Sequence, residues 1–247
     1  MGNLWKYIIL ALGVVLAAIV VAAAYTEGHR PTKGTITVTG LGETVFTSDL
    51  IVIRGSISAR SMDAGEAYVN IEQNRQRVVD VLTANGVDSA SVMFTMPNVM
   101  RCTRSIYNNG NYEGSEFAGY SITQSFTVES TDIDVVESAA RELPSLIAEG
   151  MDISVYEPMY YYTGLEDVKL SLLSAAAADA RERALNIAES SNAELGELRL
   201  SRAGVFQITA STGDEEFSAG GLFNTNSRDK KARVTVRSEF YVEESHD

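Results

Sequence analysis

The chain has 247 residues, 45% of them apolar, which is enough to bury a sizeable core and excludes a disordered polymer. Its 33 acidic and 20 basic residues give a formal charge of -13, which argues against general attraction to nucleic acid or to an anionic membrane surface. A single cysteine, Cys102, excludes an intrachain disulfide, and two histidines near opposite ends, His29 and His246, leave little material for a structural zinc site or a Cys–His pair.

Residues Leu4 to Tyr25 read LWKYIILALGVVLAAIVVAAAY, with Lys6 as the only charge. That run is long enough to cross about 30 Å of hydrocarbon as a helix. Trp5, Tyr7 and Tyr25 suit the two interfaces. Ala22-Ala23-Ala24 offers small residues for cleavage, but the run exceeds the roughly 7–15 residues of a signal core. The expectation is an uncleaved anchor, with cleavage to a soluble form as the alternative. No cysteine follows the run, so a lipoprotein anchor is excluded. Basic residues lie on both sides, Lys6 before and Arg30 and Lys33 after, so charge leaves the orientation open.

Beyond a linker over 28–34, TITVTG (35–40) alternates as a strand, GLGET (40–44) reads as a turn or bulge, and 49–60 alternates again. Asp63 and Glu66 have capping-box spacing, and Ala67, Ile71, Asn74, Val78 and Leu82 mark one helical face that stops at Asn85-Gly86. A strand over 92–100 carries Pro97, which marks an edge or a bulge. A polar loop is expected over 105–116, then a strongly alternating strand over 119–130 with Gln124 on its apolar face. Thr131 or Asp132 opens a helix striped by Ile133, Val136, Ala140, Leu143 and Ile147, and Pro144 should kink or split it.

The segment VYEPMYYYTGLEDVKL (155–170) places three consecutive tyrosines before a Thr163/Glu166 capping box. On a regular strand Tyr161 points one way and Tyr160 and Tyr162 the other, so the three rings cannot form one platform. The next helix carries Leu172, Ala176, Ala180, Ala184 and Ile187 on one stripe, small enough to lie close to a sheet. A strand region over 195–210, a Gly-rich loop over 211–228 and a strand over 230–243 complete the chain.

Several blocks resemble the SIMPL-domain proteins: ITVTGLGETVFTSDLIVIRGSI, LTANGVDSASVMF, FAGYSITQSFTVESTDIDVV and LLSAAAADARERALNIAESSNAELGEL. The resemblance covers 34–243, with departures at Ser48-Asp49, where the family often has Pro-Asp, at the tyrosine-rich strand and at Pro144. It implies a bacterial, largely periplasmic or envelope setting, an association with defence against oxidative stress, and ring-like or channel-like oligomers. It supplies no catalytic residues to carry over.

Individual motifs argue against chemistry. Gly40-Leu41-Gly42 lacks the third glycine and is followed by a strand, so it does not build a dinucleotide site. Without an internal histidine no Ser-His-Asp triad can form. Asp214–Glu216 has too few ligands for a calcium loop, and the basic run Arg228–Arg233 reads as a solvated face. Cys102, between Arg101 and Arg104, is the one candidate redox thiol, although alternation turns Arg101 away and favours a half-buried cysteine without a role.

The expected fold is α+β, with antiparallel sheets covered by helices in two loosely similar halves, preceded by one transmembrane helix. Its parts are 1–27 (membrane anchor or signal segment), 28–34 (linker), 35–243 (SIMPL-like domain) and 244–247 (acidic tail). The expected function is non-enzymatic: a single-pass inner-membrane protein facing the periplasm, acting as a homo-oligomer, with no cofactor, metal or nucleic acid. Tyr160 and Tyr162 are the candidate interface. The alternatives are a periplasmic module that captures a small ligand or peptide and, less favoured, a hydrolase or redox enzyme.

Overall fold

The computed structural model describes residues 12–13, 15–21, 34–212 and 218–244. Most of the expected anchor Leu4–Tyr25, nearly all of the 28–34 linker, residues 245–247 of the tail, both histidines and the Asp214–Glu216 run lie outside the described residues. Residues 12–13 and 15–21 are helical, and their large apolar side chains are exposed. Among the described residues no helix is long and apolar enough to cross a membrane.

The fold is α+β with two sheets. A six-stranded antiparallel sheet has the order β3 (Val92–Phe94), β5 (Asn111–Ser130), β2 (Leu50–Ser61), β6 (Asp152–Val155). β4 (Asn98–Asn108) also pairs with β5, and β7 (Met159–Tyr161) with β2. Two helices, α1 (Ala64–Ala84) and α2 (Ile133–Glu142), share its core, in which Ile51, Ile57, Ile71, Val78, Phe126 and Val136 are all at most 1% exposed. The odd-numbered residues of β2 and the even-numbered residues of β5 from 120 to 128 face this core, as alternation requires.

The five-stranded sheet has the order β1 (Thr35–Thr47), β11 (Asp229–Glu244), β9 (Gln207–Ala210), β10 (Leu222–Phe223), with β8 (Ala193–Ala203) also on β11. β10 runs parallel to β9, so this sheet is mixed where an antiparallel one was expected. The helix α3 (Leu165–Ser190) buries Leu172, Ala176, Ala180, Ala184 and Ala188. The stripe keeps a four-residue step to Ala188, and Ile187, expected on it, is exposed.

The chain divides into two compact units, one of 1–39, 180–202 and 237–247 and the other of 40–179 and 203–236. They are interleaved segments rather than two consecutive halves.

Other local expectations change for physical reasons. β1 runs unbroken through 40–44, because Gly42 serves close packing and not a turn: a Cβ there would overlap the Leu172 carbonyl of α3. The 105–116 loop is a hairpin, closed by Asn109 and Gly110 at φ 49° and 84°, the two left-handed positions of a tight turn. Pro97 and Pro158 each separate two strands, and Pro144 converts the end of the second helix into a 3-10 turn over Leu143–Ile147. The tighter turn advances the phase, so Leu146 is buried and Ile147 is exposed. At α1, Asp63 accepts from the Glu66 amide, while Glu66 accepts from the Ser61 hydroxyl. At α3 the capping box fails, because Thr163 gives its amide and hydroxyl protons to the two oxygens of Asp49 and Glu166 pairs with Lys169.

Candidate functional site

The three tyrosines enter three different environments. Tyr160, paired across from Ile51, packs on the large core and donates its hydroxyl to Glu137 of α2 at 2.8 Å. Burial, with the Glu137 carboxylate second, pushes its pKa up to about 12. Tyr161 lies 6.5 Å from the Phe223 ring. Tyr162 has left the strand and stacks 4.8 Å from Phe46. Tyr160 and Tyr162 are therefore both half-buried within the chain, against different partners.

An exposed apolar feature of the six-stranded sheet is the arm formed by β4 and the first part of β5. From Asn98 to Ala118 both strands are almost entirely exposed, Cys102 and Gly114 being half-buried. Tyr107 and Tyr112, 65% and 60% exposed, meet edge-on at 5.8 Å near the tip. Val99, Ile106 and Phe117 add exposed apolar surface, and Arg101 lies 5.0 Å over the Phe117 ring. Sequence reasoning missed this arm by reading polar composition as a loop; the Asn109-Gly110 pair, suited to a tight hairpin turn, was the available signal.

Cys102 lies beside a bulge, where Arg101 pairs with Tyr120 but Thr103 with Phe117. Its half-buried thiol points to the Met100 carbonyl at 4.0 Å. Neither flanking arginine serves it, since Arg101 covers Phe117 and Arg104 chelates Glu116.

The basic run 228–233 is committed internally, contrary to expectation. Arg228 pairs with Asp134 of α2 at 2.6 Å and holds that carboxyl below its usual range, through the hydrogen bond first and charge second. Lys230 is 1% exposed, and its ammonium donates to the Asn224 and Ser227 carbonyls. Lys231 and Arg233 both reach Glu43.

Two cavities of about 440 and 450 Å³ lie along one flank of α1 and share Gln73, Asn74 and Gly150. Asn70 and Gln73 are separated by a helical turn, and Asn74 binds the Ser58 carbonyl at 3.2 Å. A polar hollow of about 1040 Å³ lies between β8 and the end of β11, lined by Gly196, Glu197, Arg199 and Tyr241. Among the described residues no group of three His, Cys, Asp or Glu side chains could hold a metal ion.

No curated protein matches the chain. A protein-family model described as SIMPL, protein of unknown function (DUF541), matches residues 36–240.

Proposed function

The chain belongs to the SIMPL family, and we propose that it works without catalysis, as a membrane-anchored envelope protein acting through homo-oligomeric assembly in oxidative-stress protection. The observation that carries the assembly is the β4–β5 arm. A two-stranded ribbon wetted on both faces is at best marginally stable in water, so a long one is expected to be covered. Its outer edge also presents unpaired backbone groups, which an identical subunit would protect. Tyr107 and Tyr112 supply rigid contact area at low entropic cost. The half-buried Tyr160 and Tyr162 offer less, and Tyr160 already gives its hydroxyl to Glu137. The apolar run Leu4–Tyr25 supports the anchor. The envelope setting and the stress role are supported by the family resemblance alone.

The full chain extracted in detergent is expected to exceed monomer mass by light scattering. Tyr107→Ser combined with Tyr112→Ser should lower that mass without changing the circular dichroism spectrum. A wild-type chain that stays monomeric at high micromolar concentration would overturn the reading.

The amide-lined cavities beside α1 favour a second reading, a ligand-binding module. The carboxamides of Asn70, Gln73 and Asn74 both donate and accept, and each cavity adds one arginine and one acid, Arg60 with Asp152 and Arg77 with Glu149, which suits a polar ligand. A thermal-shift screen against short peptides and oligosaccharides tests it. Any hit must be lost in Asn70→Ala and Gln73→Ala.

A further inference from the structure

We propose that a gap in the six-stranded sheet, beside residues 59–61 of β2, binds a short peptide with free termini as an added strand. The site belongs to the ligand-binding reading of the α1 cavities and rests on it, independently of assembly.

The strand register defines the gap. On one side β2 pairs with β5 as far as Ser61 and Tyr120. On the other side β6 pairs only as far as Ser58 and Asp152. Asp152 is the first residue of β6, and the chain before it turns away to the 3-10 segment, where the Met151 amide meets the Leu146 carbonyl. Among the described residues no strand lies beside 59–61 on that side, since β7 pairs with β2 only at 50–52. Even-numbered residues of β2 turn their main-chain groups toward the gap side, as Arg54 does when its carbonyl accepts from the Tyr156 amide. The N–H and C=O of Arg60 therefore point into the gap. The cavity of about 440 Å³ lies at this place, with Ser58, Arg60 and Asp152 of the sheet on one side and Asn70, Gln73 and Asn74 of α1 on the other. Side chains of α1 reach this stretch of main chain: Asn74 donates to the Ser58 carbonyl at 3.2 Å.

The charges select the ligand and its direction. Ser58 lies directly opposite Asp152, so Arg60, two residues further on, is the diagonal neighbour of Asp152, about 7–8 Å away. One oxygen of Asp152 accepts the Ser58 hydroxyl at 2.5 Å. Among the described residues its other oxygen and the Arg60 guanidinium have no partner, and the two side chains form no ion pair with each other. A carboxylate thus stands at the end of the gap that β6 blocks, and a guanidinium stands further along. A peptide whose terminal ammonium meets Asp152 and whose carboxylate meets Arg60 would run parallel to β2 and pair with the Arg60 main chain. Its own amides would meet Asn70 and Gln73, whose carboxamides make no hydrogen bond among the described residues. Because β6 fills the sheet behind Asp152, the strand must begin there, which calls for a free N-terminus. At about 3.3 Å per residue, the distance to Arg60 suits a peptide of two or three residues.

The test titrates the full chain in detergent with L-Ala-L-Ala, its N-acetyl derivative and its C-terminal amide by calorimetry. The free dipeptide is expected to bind once per chain, and each blocked derivative at least tenfold more weakly. Asp152→Asn should weaken the free dipeptide at least tenfold and leave the N-acetyl derivative unchanged. Arg60→Gln should do the same for the free dipeptide and leave the C-terminal amide unchanged. Arg54→Gln, an exposed arginine beside the filled part of the sheet, should bind as wild type. Absence of dipeptide binding overturns the proposal, as does equal binding of the peptide blocked at both ends, or binding that both charge variants leave intact. The blocked derivatives test the wild type directly, so a variant that misfolds does not remove the test. If the peptides fail while an oligosaccharide binds and is lost in Asn70→Ala and Gln73→Ala, this proposal falls and the ligand-binding reading stands. If neither binds, both fall.

Discussion

Gly55 faces the Phe126 ring across the β2–β5 pair, and both are buried at the centre of the large core. A Cβ at Gly55 would overlap that ring, which has no free space to move into. Gly55→Ala is expected to destabilise the protein by about 1–3 kcal/mol, the range for overpacking a filled core. Urea denaturation checks this, and an unchanged midpoint would show that Phe126 repacks freely. Tyr160 is tuned in a different way, by burial first and by its contact with Glu137 second. Its folded pKa is raised to about 12, so the neutral phenol is favoured by folding. The resulting stability is complete below the ordinary tyrosine value, about 10, and is lost as the pH rises through about 12. Denaturation midpoints of wild type and Tyr160→Phe should therefore converge across that window. A difference that stays constant to high pH would mean that the hydroxyl does not titrate there.

Elements whose burial repeats at a fixed period were legible in the sequence, because one buried face writes itself into every second or fourth residue. β2, the 119–130 strand and α1 were read from their alternation, their stripe and the Asp63 cap. Asn74 fitted the α1 stripe despite its polarity, since its amide reaches the Ser58 carbonyl. What escaped depends on contacts between distant segments. Glycines at 40 and 42 signal a turn locally, and only the approach of α3 makes Gly42 a strand residue. The 105–116 arm has no buried face, so it leaves no periodic trace. Lys230 looks like any surface lysine until the Asn224 and Ser227 carbonyls converge on it. The candidate sites were less legible still: Gly150 joins Gln73 and Asn74 in the cavities beside α1 only once the chain has folded.

The segment before β11 is tied to α2 by the Arg228–Asp134 pair. Because the Asp134 pKa is lowered, the pair contributes above the ordinary carboxylate range and is lost as the pH falls through the lowered value. Asp134 is largely in solvent and Arg228 is partly exposed, so the effect is small and sensitive to salt. A carboxyl-detected NMR titration should place Asp134 below the other surface aspartates, and Arg228→Gln should return it to them. If Asp134 titrates with the rest in the wild type, the pair does not persist in solution.

Across the molecule, the order of the strands in the chain constrains when each sheet can form. The six-stranded sheet draws only on residues 50–161, a continuous stretch. Among the described residues β1 pairs with no strand but β11, which ends the described chain, and Thr47 of β1 bonds Asp229 of β11 across 182 positions. During synthesis the first strand must therefore wait, unpaired, until the last has emerged. Closing so long a loop delays the pairing and leaves an open edge exposed to other chains in the meantime. Pulse-labelled hydrogen exchange during refolding should show protection in β2 and β5 before β1 and β11, and the reverse order would refute this. A chain that stalls or is truncated before β11 is then expected to carry a folded six-stranded sheet and an unsatisfied strand, the combination that quality-control proteases and chaperones engage.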